Sequence, residues 1–110
     1  KDMFDKAGVP YPDETWTWDT MIEQGQKLTA ENQYALWADL WDMELYWASA
    51  IWQNGGEILS ADNTKTLIGE PAALDAWQWF HDMVFKYKIM PTPSAAEQFG
   101  EFLGYVKSQP

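Results

Sequence analysis

Ala73, Trp77, Phe80, Val84 and Tyr87 recur at intervals of four, three, four and three residues, the rhythm of one face of an α-helix. Pro71 opens the run, where its missing N–H is one that a helix start leaves unused. Asp75, Asp82 and Lys86 fall on the opposite side. The spacing predicts an amphipathic helix over 71–87, and its apolar stripe obliges the rest of the chain to supply a surface to pack against. Trp79 lies among the charged residues of that helix and is expected to be exposed. His81, on the flank beside Trp77 and Val84, is expected to be a partly buried core histidine.

The remaining signals are also mainly helical. Residues 2–7 suit a short helix stopped by Gly8, and the prolines at 10 and 12 keep the following linker extended. Thr17 is placed to cap a helix over 18–28, which would align Trp18, Met21, Ile22, Gly25 and Leu28 along one side. Gly25 is small where a neighbour can come close. A third helix is expected over 43–54, closed by Gly55-Gly56 with glycine just past its end. Leu45, Ala48 and Trp52 form one stripe of it, while Met43, Trp47, Ala50 and Ile51 make the other side apolar too. A helix apolar all round is buried or walls a pocket. Ser94 can cap a last helix bearing Ala95, Phe99, Phe102 and Leu103. Between the helices, Tyr34-Ala35-Leu36-Trp37 reads as a buried strand or its remnant. Ile58-Leu59 and Thr66-Leu67-Ile68 flank a polar turn and read as a hairpin. The expectation is one helix-rich domain over 1–110, mainly α with a few short strands.

Charge narrows the function. Seventeen acidic residues against seven lysines and no arginine give a formal net charge of −10, the wrong sign for a nucleic-acid footprint or an anionic membrane. An uncharged ligand suffers no such repulsion. With no cysteine there is no disulfide, thiolate nucleophile or thiolate metal site. No apolar run reaches the ~18 residues of a membrane span. No signal peptide opens the chain, and its start looks cut from something longer.

Chemistry is sparse. The single histidine has no cysteine to pair with, no serine sits in a Gly-x-Ser-x-Gly elbow, and no spaced carboxylates imitate a calcium loop. Gly55-Gly56 follows a helix, whereas a phosphate cradle precedes one. No catalytic residue, cofactor or metal is expected, and the chain does not read as an enzyme. Asp39, Asp42 and Glu44 lie among Trp37, Trp41 and Trp47, but paired glycosidase carboxylates face each other across a bond and normally come from different strands. The same cluster suits carbohydrate binding better. A sugar ring has an apolar C–H face that stacks on aromatic rings, and hydroxyls that bond to carboxylates. Trp41-Asp42-x-Glu44-x-Tyr46-Trp47 supplies both kinds of surface. The alternative is a tryptophan-rich core with solvated acids at a helix N-terminus, where acids are favoured in any case.

Asp2-Met3-Phe4-Asp5-Lys6-Ala7-Gly8-Val9-Pro10-Tyr11-Pro12, followed by Thr15-Trp16-Thr17-Trp18-Asp19 and Lys27-Leu28-Thr29, resembles a segment of extracellular solute-binding protein family 1. These are the maltose-binding-protein-like receptors of sugar ABC importers. Further blocks follow in the family's order: Tyr34-Ala35-Leu36, Gln53-Asn54-Gly55-Gly56-Glu57-Ile58, Pro71-Ala72-Ala73-Leu74, Asp82-Met83-Val84 and Lys88-Ile89-Met90-Pro91-Thr92-Pro93. Ala35 stands where the family usually has glycine, and the tail from Glu101 to Lys107 matches poorly. The resemblance implies the two-lobe type II periplasmic-binding-protein fold, of which this chain is a partial second lobe. It implies ligand contacts from Trp41, Asp42, Glu44, Tyr46 and Trp47, and a neutral mono- or oligosaccharide as ligand. Membrane permease subunits of an ABC importer are the implied partners of the full-length protein, with no nucleic acid. An extracytoplasmic location is implied, periplasmic or attached to the cell surface. A stand-alone carbohydrate-binding module is the competing reading.

Overall fold

The computed structural model describes residues 1–31, 33–38 and 46–99. Among the described residues five helices follow one another: α1 (Asp2–Ala7), α2 (Trp18–Leu28), α3 (Ala48–Gln53), α4 (Pro71–Phe85) and α5 (Pro93–Phe99). Among the described residues the expected short strands reduce to isolated antiparallel bridges, Ala30 with Gln33 and Leu59 with Thr66. The residues group into two compact units. One holds residues 1–37 and the chain from Met83 onward, the other Ala38–Asp82.

In the first unit, each helix end is set by an identifiable local device. α1 stops because Gly8 takes a left-handed conformation at φ 64°, cheap for a residue without Cβ. The amide of Val9 then donates back to the Phe4 carbonyl at 3.0 Å. The Phe4 ring meets those of Tyr11 and Trp16, with centroids 5.8 and 6.4 Å away, so the proline linker folds back over α1. Thr17 caps α2 as the sequence predicts, its hydroxyl accepting from the Thr20 amide at 3.2 Å. Thr29 closes the other end, with both its amide and its hydroxyl donating to the Gly25 carbonyl at 3.0 and 2.8 Å.

Gly25 and Leu28 are the buried positions of α2, while Trp18, Met21 and Ile22 are half-buried. A Cβ at Gly25 would lie 3.0 Å from Cδ1 of Ile89 and 3.5 Å from Cβ of Ala35. Ile89 itself is fully buried. Close approach therefore explains the glycine. Gly25→Leu is expected to cost about 1–3 kcal/mol through overpacking, read as a lower urea midpoint. Unchanged stability would mean that the contact does not exist.

Residues 34–37 do not form a strand. The Leu36 amide does donate to the Ile89 carbonyl at 3.1 Å, as a remnant of a strand would. The α4 helix also ends two residues sooner than its apolar rhythm suggests. Lys88 turns left-handed at φ 57°, and the amides of Ile89 and Met90 both donate to the Met83 carbonyl at 2.9 and 3.2 Å. The Met83 carbonyl, one of those that a helix end would leave unpaired, is thereby satisfied. α5 is capped by Thr92 rather than Ser94: the Thr92 hydroxyl accepts from the Ala95 amide at 3.2 Å, and Pro93 takes the first helical position.

The second unit is built from α3, the turn region over 58–68 and the body of α4. Ala48, Ala50 and Ile51 of α3 are buried, as are Ala73, Ala76 and Phe80 of α4. Trp52 and Gln53 of α3 are exposed, Trp52 by 52%, so the helix is not buried on every side as its all-round apolar character suggested. The hairpin is real but minimal. Besides the single bridge, the Leu67 amide donates to the Ile58 carbonyl at 2.8 Å and Ser60 to the Lys65 carbonyl at 2.9 Å. Asp62 organises the turn, accepting from the Ser60 hydroxyl at 2.6 Å, the Thr64 hydroxyl at 2.9 Å and the Thr64 amide at 3.2 Å, an Asx arrangement that competes well with extended pairing.

These donors favour the ionised carboxyl, so the Ser60 and Thr64 bonds hold the pKa of Asp62 below the ordinary 3.8. A depressed carboxylate stabilises above its unfolded pKa, and that contribution disappears as pH falls through the lower folded value. Amide shifts of Ser60 and Thr64 should accordingly hold steady down to the ordinary aspartate range and move only below it. Movement centred at or above 3.8 would contradict the turn geometry.

Candidate ligand-binding site

Of the five residues that the sequence singles out, Trp41, Asp42 and Glu44 lie outside the described residues. The other two stand at the entrance to α3. Tyr46 is half-buried, and its carbonyl accepts from the Ser49 hydroxyl at 2.6 Å. Trp47 is half-buried and faces Trp77 of α4, with ring centroids 4.8 Å apart and planes inclined at 34°. That separation is within the range at which aromatic pairs attract beyond simple area burial. Trp77 is half-buried as well. The pair thus offers some ring surface to its surroundings while each ring holds the other.

The elements beneath this pair are fixed by the glycines after α3. Gly55 adopts φ 75°, which only glycine takes without strain. Gly56 cannot carry a side chain: its Cβ would sit 2.9 Å from Cγ2 of Ile51 and 3.2 Å from the Ala73 amide nitrogen. The Asn54 carboxamide donates to the Ala72 carbonyl at 2.9 Å. Together these contacts bind the end of α3 to the first turn of α4, and so set the register in which Trp47 meets Trp77.

Sequence reasoning missed Trp77 as a partner of Trp47. The apolar stripe of α4 assigns Trp77 to the core, and nothing in the linear sequence pairs it with a residue near α3. Two expectations on α4 are corrected. Trp79 is half-buried, with its ring edge-on to Phe80 at 5.2 Å between centroids; an indole on a helix flank covers enough neighbouring surface to withdraw from water. His81 is exposed, its side chain 60% accessible, with Nδ1 3.2 Å from the Asp82 carboxylate and 3.4 Å from the Gln78 amide. Asp82 also accepts from Gln78 at 2.8 Å. The histidine joins a polar surface network, which suits an imidazole better than the apolar flank its neighbours suggested.

Among the described residues no group of three or more potential ligands could hold a metal ion. None of the described helices is long and apolar enough to cross a membrane. What the described residues of the cluster offer is the part-exposed aromatic surface of Tyr46 and of the Trp47–Trp77 pair.

No family model matches the chain. It is 33% identical over 88 residues to a protein of Brucella abortus (strain 2308) provisionally named a binding protein, and equally so to a similarly named protein of Brucella suis biovar 1 (strain 1330). Each match takes in 76% of this chain and 21% of the relative. Among solved structures, the chain is similar to an ABC substrate-binding protein of Listeria monocytogenes determined in complex with cycloalternan. That likeness has a TM-score of 0.76 at 32% identity, over 86% of this chain and 24% of the other. The chain therefore spans about a fifth of the length of the curated relatives it matches and about a quarter of the solved one. The class of protein that it resembles in both sequence and backbone is a substrate-binding protein.

Proposed function

We propose that this chain is part of a carbohydrate-binding receptor of an ABC importer, of the maltose-binding-protein-like family 1. The observation that carries the proposal is the likeness, over most of the chain, to a substrate-binding protein whose solved form holds a carbohydrate. In this reading residues 1–110 are a helix-rich piece of the second lobe of a two-lobe type II receptor. The receptor works outside the cytoplasm, in the periplasm or at the cell surface, and hands its ligand to membrane permease subunits. Trp41, Asp42, Glu44, Tyr46 and Trp47 contribute to the ligand side of the lobe. The neutral ligand fits a strongly acidic chain, since the net charge of −10 neither attracts nor repels an uncharged guest. No catalytic step and no cofactor are required.

The stand-alone carbohydrate-binding module is disfavoured because the matched segment is a minor portion of every relative described above. The test is a thermal-shift screen of the full-length receptor against neutral mono- and oligosaccharides, beginning with cycloalternan, the ligand of the solved neighbour. A ligand-dependent rise in melting temperature supports the proposal. No shift with any carbohydrate, alongside a shift with another class of solute, would overturn the sugar assignment.

A further inference from the structure

The chain contains one Asn-Gly pair, Asn54-Gly55, at the junction of α3 and α4. Asparagine before glycine is chemically labile because no Cβ shields the following amide nitrogen. That nitrogen can attack the asparagine side-chain carbonyl carbon. A C–N bond forms, ammonia leaves with the carboxamide nitrogen, and a five-membered succinimide results. Water then opens the ring at either carbonyl, giving aspartate or isoaspartate. Both residues are exposed here, so water has free access and accessibility alone gives no protection.

Geometry does protect. The attacking nitrogen needs to give up its proton, but the Gly55 N–H is donated to the Trp52 carbonyl at 3.0 Å. The carboxamide needs to swing toward that nitrogen, but its Nδ2 is donated to the Ala72 carbonyl at 2.9 Å. The Asn54 amide is held too, donating to the Ala50 carbonyl at 3.0 Å, which fixes the backbone at φ −87° and ψ 10°. Reaction requires this α3 terminus to open, a local unfolding step that sets the observed rate.

We infer that Asn54-Gly55 is a deamidation site which the fold of the Ala38–Asp82 unit holds closed, so that isoaspartate at this position records past opening of the junction between α3 and α4. The isoaspartate product lengthens the main chain by one methylene. It does so directly before Gly55 and one residue ahead of Gly56, whose amide is bonded to the Ile51 carbonyl at 2.9 Å and whose Cβ position is already filled by Ile51 and Ala73. The junction has no slack for an added atom, so the isoaspartate form should fail to re-form it. Aspartate gives up the side-chain bond to the Ala72 carbonyl but leaves the main chain unchanged, so it should be tolerated better than isoaspartate.

The experiment incubates the 110-residue chain in mildly alkaline buffer with and without denaturing urea, and follows Asn54 by peptide mapping with isoaspartate detection. The folded sample should deamidate at least about tenfold more slowly, the factor given by roughly 1.4 kcal/mol of opening free energy. A smaller ratio overturns the proposal. In a second arm, Asn54→Asp and the isoaspartate chain recovered from urea are refolded and compared by amide exchange across α3. The variant should regain clearly more protection than the isoaspartate chain, falling short of the wild type only by the lost bond to the Ala72 carbonyl. Equal recovery by both overturns the claim that the junction rejects the longer backbone.

Discussion

The isolated 110-residue chain should bind carbohydrate in the millimolar range or more weakly, while the full-length receptor binds the same sugar near micromolar. Micromolar affinity corresponds to about −8.2 kcal/mol and millimolar to about −4.1. If the piece supplies roughly half of the contacts, the difference is on the order of a thousandfold. Loss of enclosure acts in the same direction. Without an opposing lobe to exclude water, hydrogen bonds to a sugar hydroxyl exchange with solvent at little net gain. Within the full-length receptor, Trp47→Ala should weaken binding by ~1–3 kcal/mol, the scale of an aromatic anchor, with little loss of fold because the ring is only half-buried. Calorimetry on both forms and on the variant measures all three quantities. Tight binding by the isolated chain would favour the stand-alone module instead.

The second large effect is on stability. Ile51 is completely buried at the end of α3, and its Cγ2 fills the space that a side chain at Gly56 would need. Ile51→Ala should cost about 2–5 kcal/mol, the transfer free energy of the lost groups plus the cavity they leave. Trp52, the next residue, is 52% exposed, and Trp52→Ala should stay within about 0.5 kcal/mol of the wild type. Chemical denaturation of the two variants side by side separates them, and comparable losses would show that Ile51 is not the centre of its unit.

Helix positions were largely legible in the sequence because their punctuation is local. Gly8, Thr17 and Gly55 act within a turn of themselves, and each does in the structure what its residue type and neighbours suggest. The errors come where the deciding contact is remote or where two devices compete. Lys88 has no glycine to advertise a helix end, yet it turns left-handed because Ile89 and Met90 both bond back to Met83. Ser94 looked like a cap, but Thr92 precedes Pro93 and has the better position. At 34–37, read as a strand or its remnant, no strand forms, and the Leu36 amide bonds to the Ile89 carbonyl. The binding cluster was legible only as composition and by resemblance. Its one described ring contact, Trp47 on Trp77, joins two helices through space, and no local pattern encodes that.

The close fit of Gly25 to Ile89 has a consequence for how such chains can diverge. The two positions share one small volume, although a long stretch of sequence separates them. A lineage that puts a large side chain at position 25 has to shrink position 89 in step, and one that keeps isoleucine at 89 keeps a small residue at 25. Loops elsewhere can lengthen, shorten and exchange residues without disturbing that bargain. Across relatives the pair should therefore covary in side-chain volume, even where the surrounding residues have drifted beyond recognition.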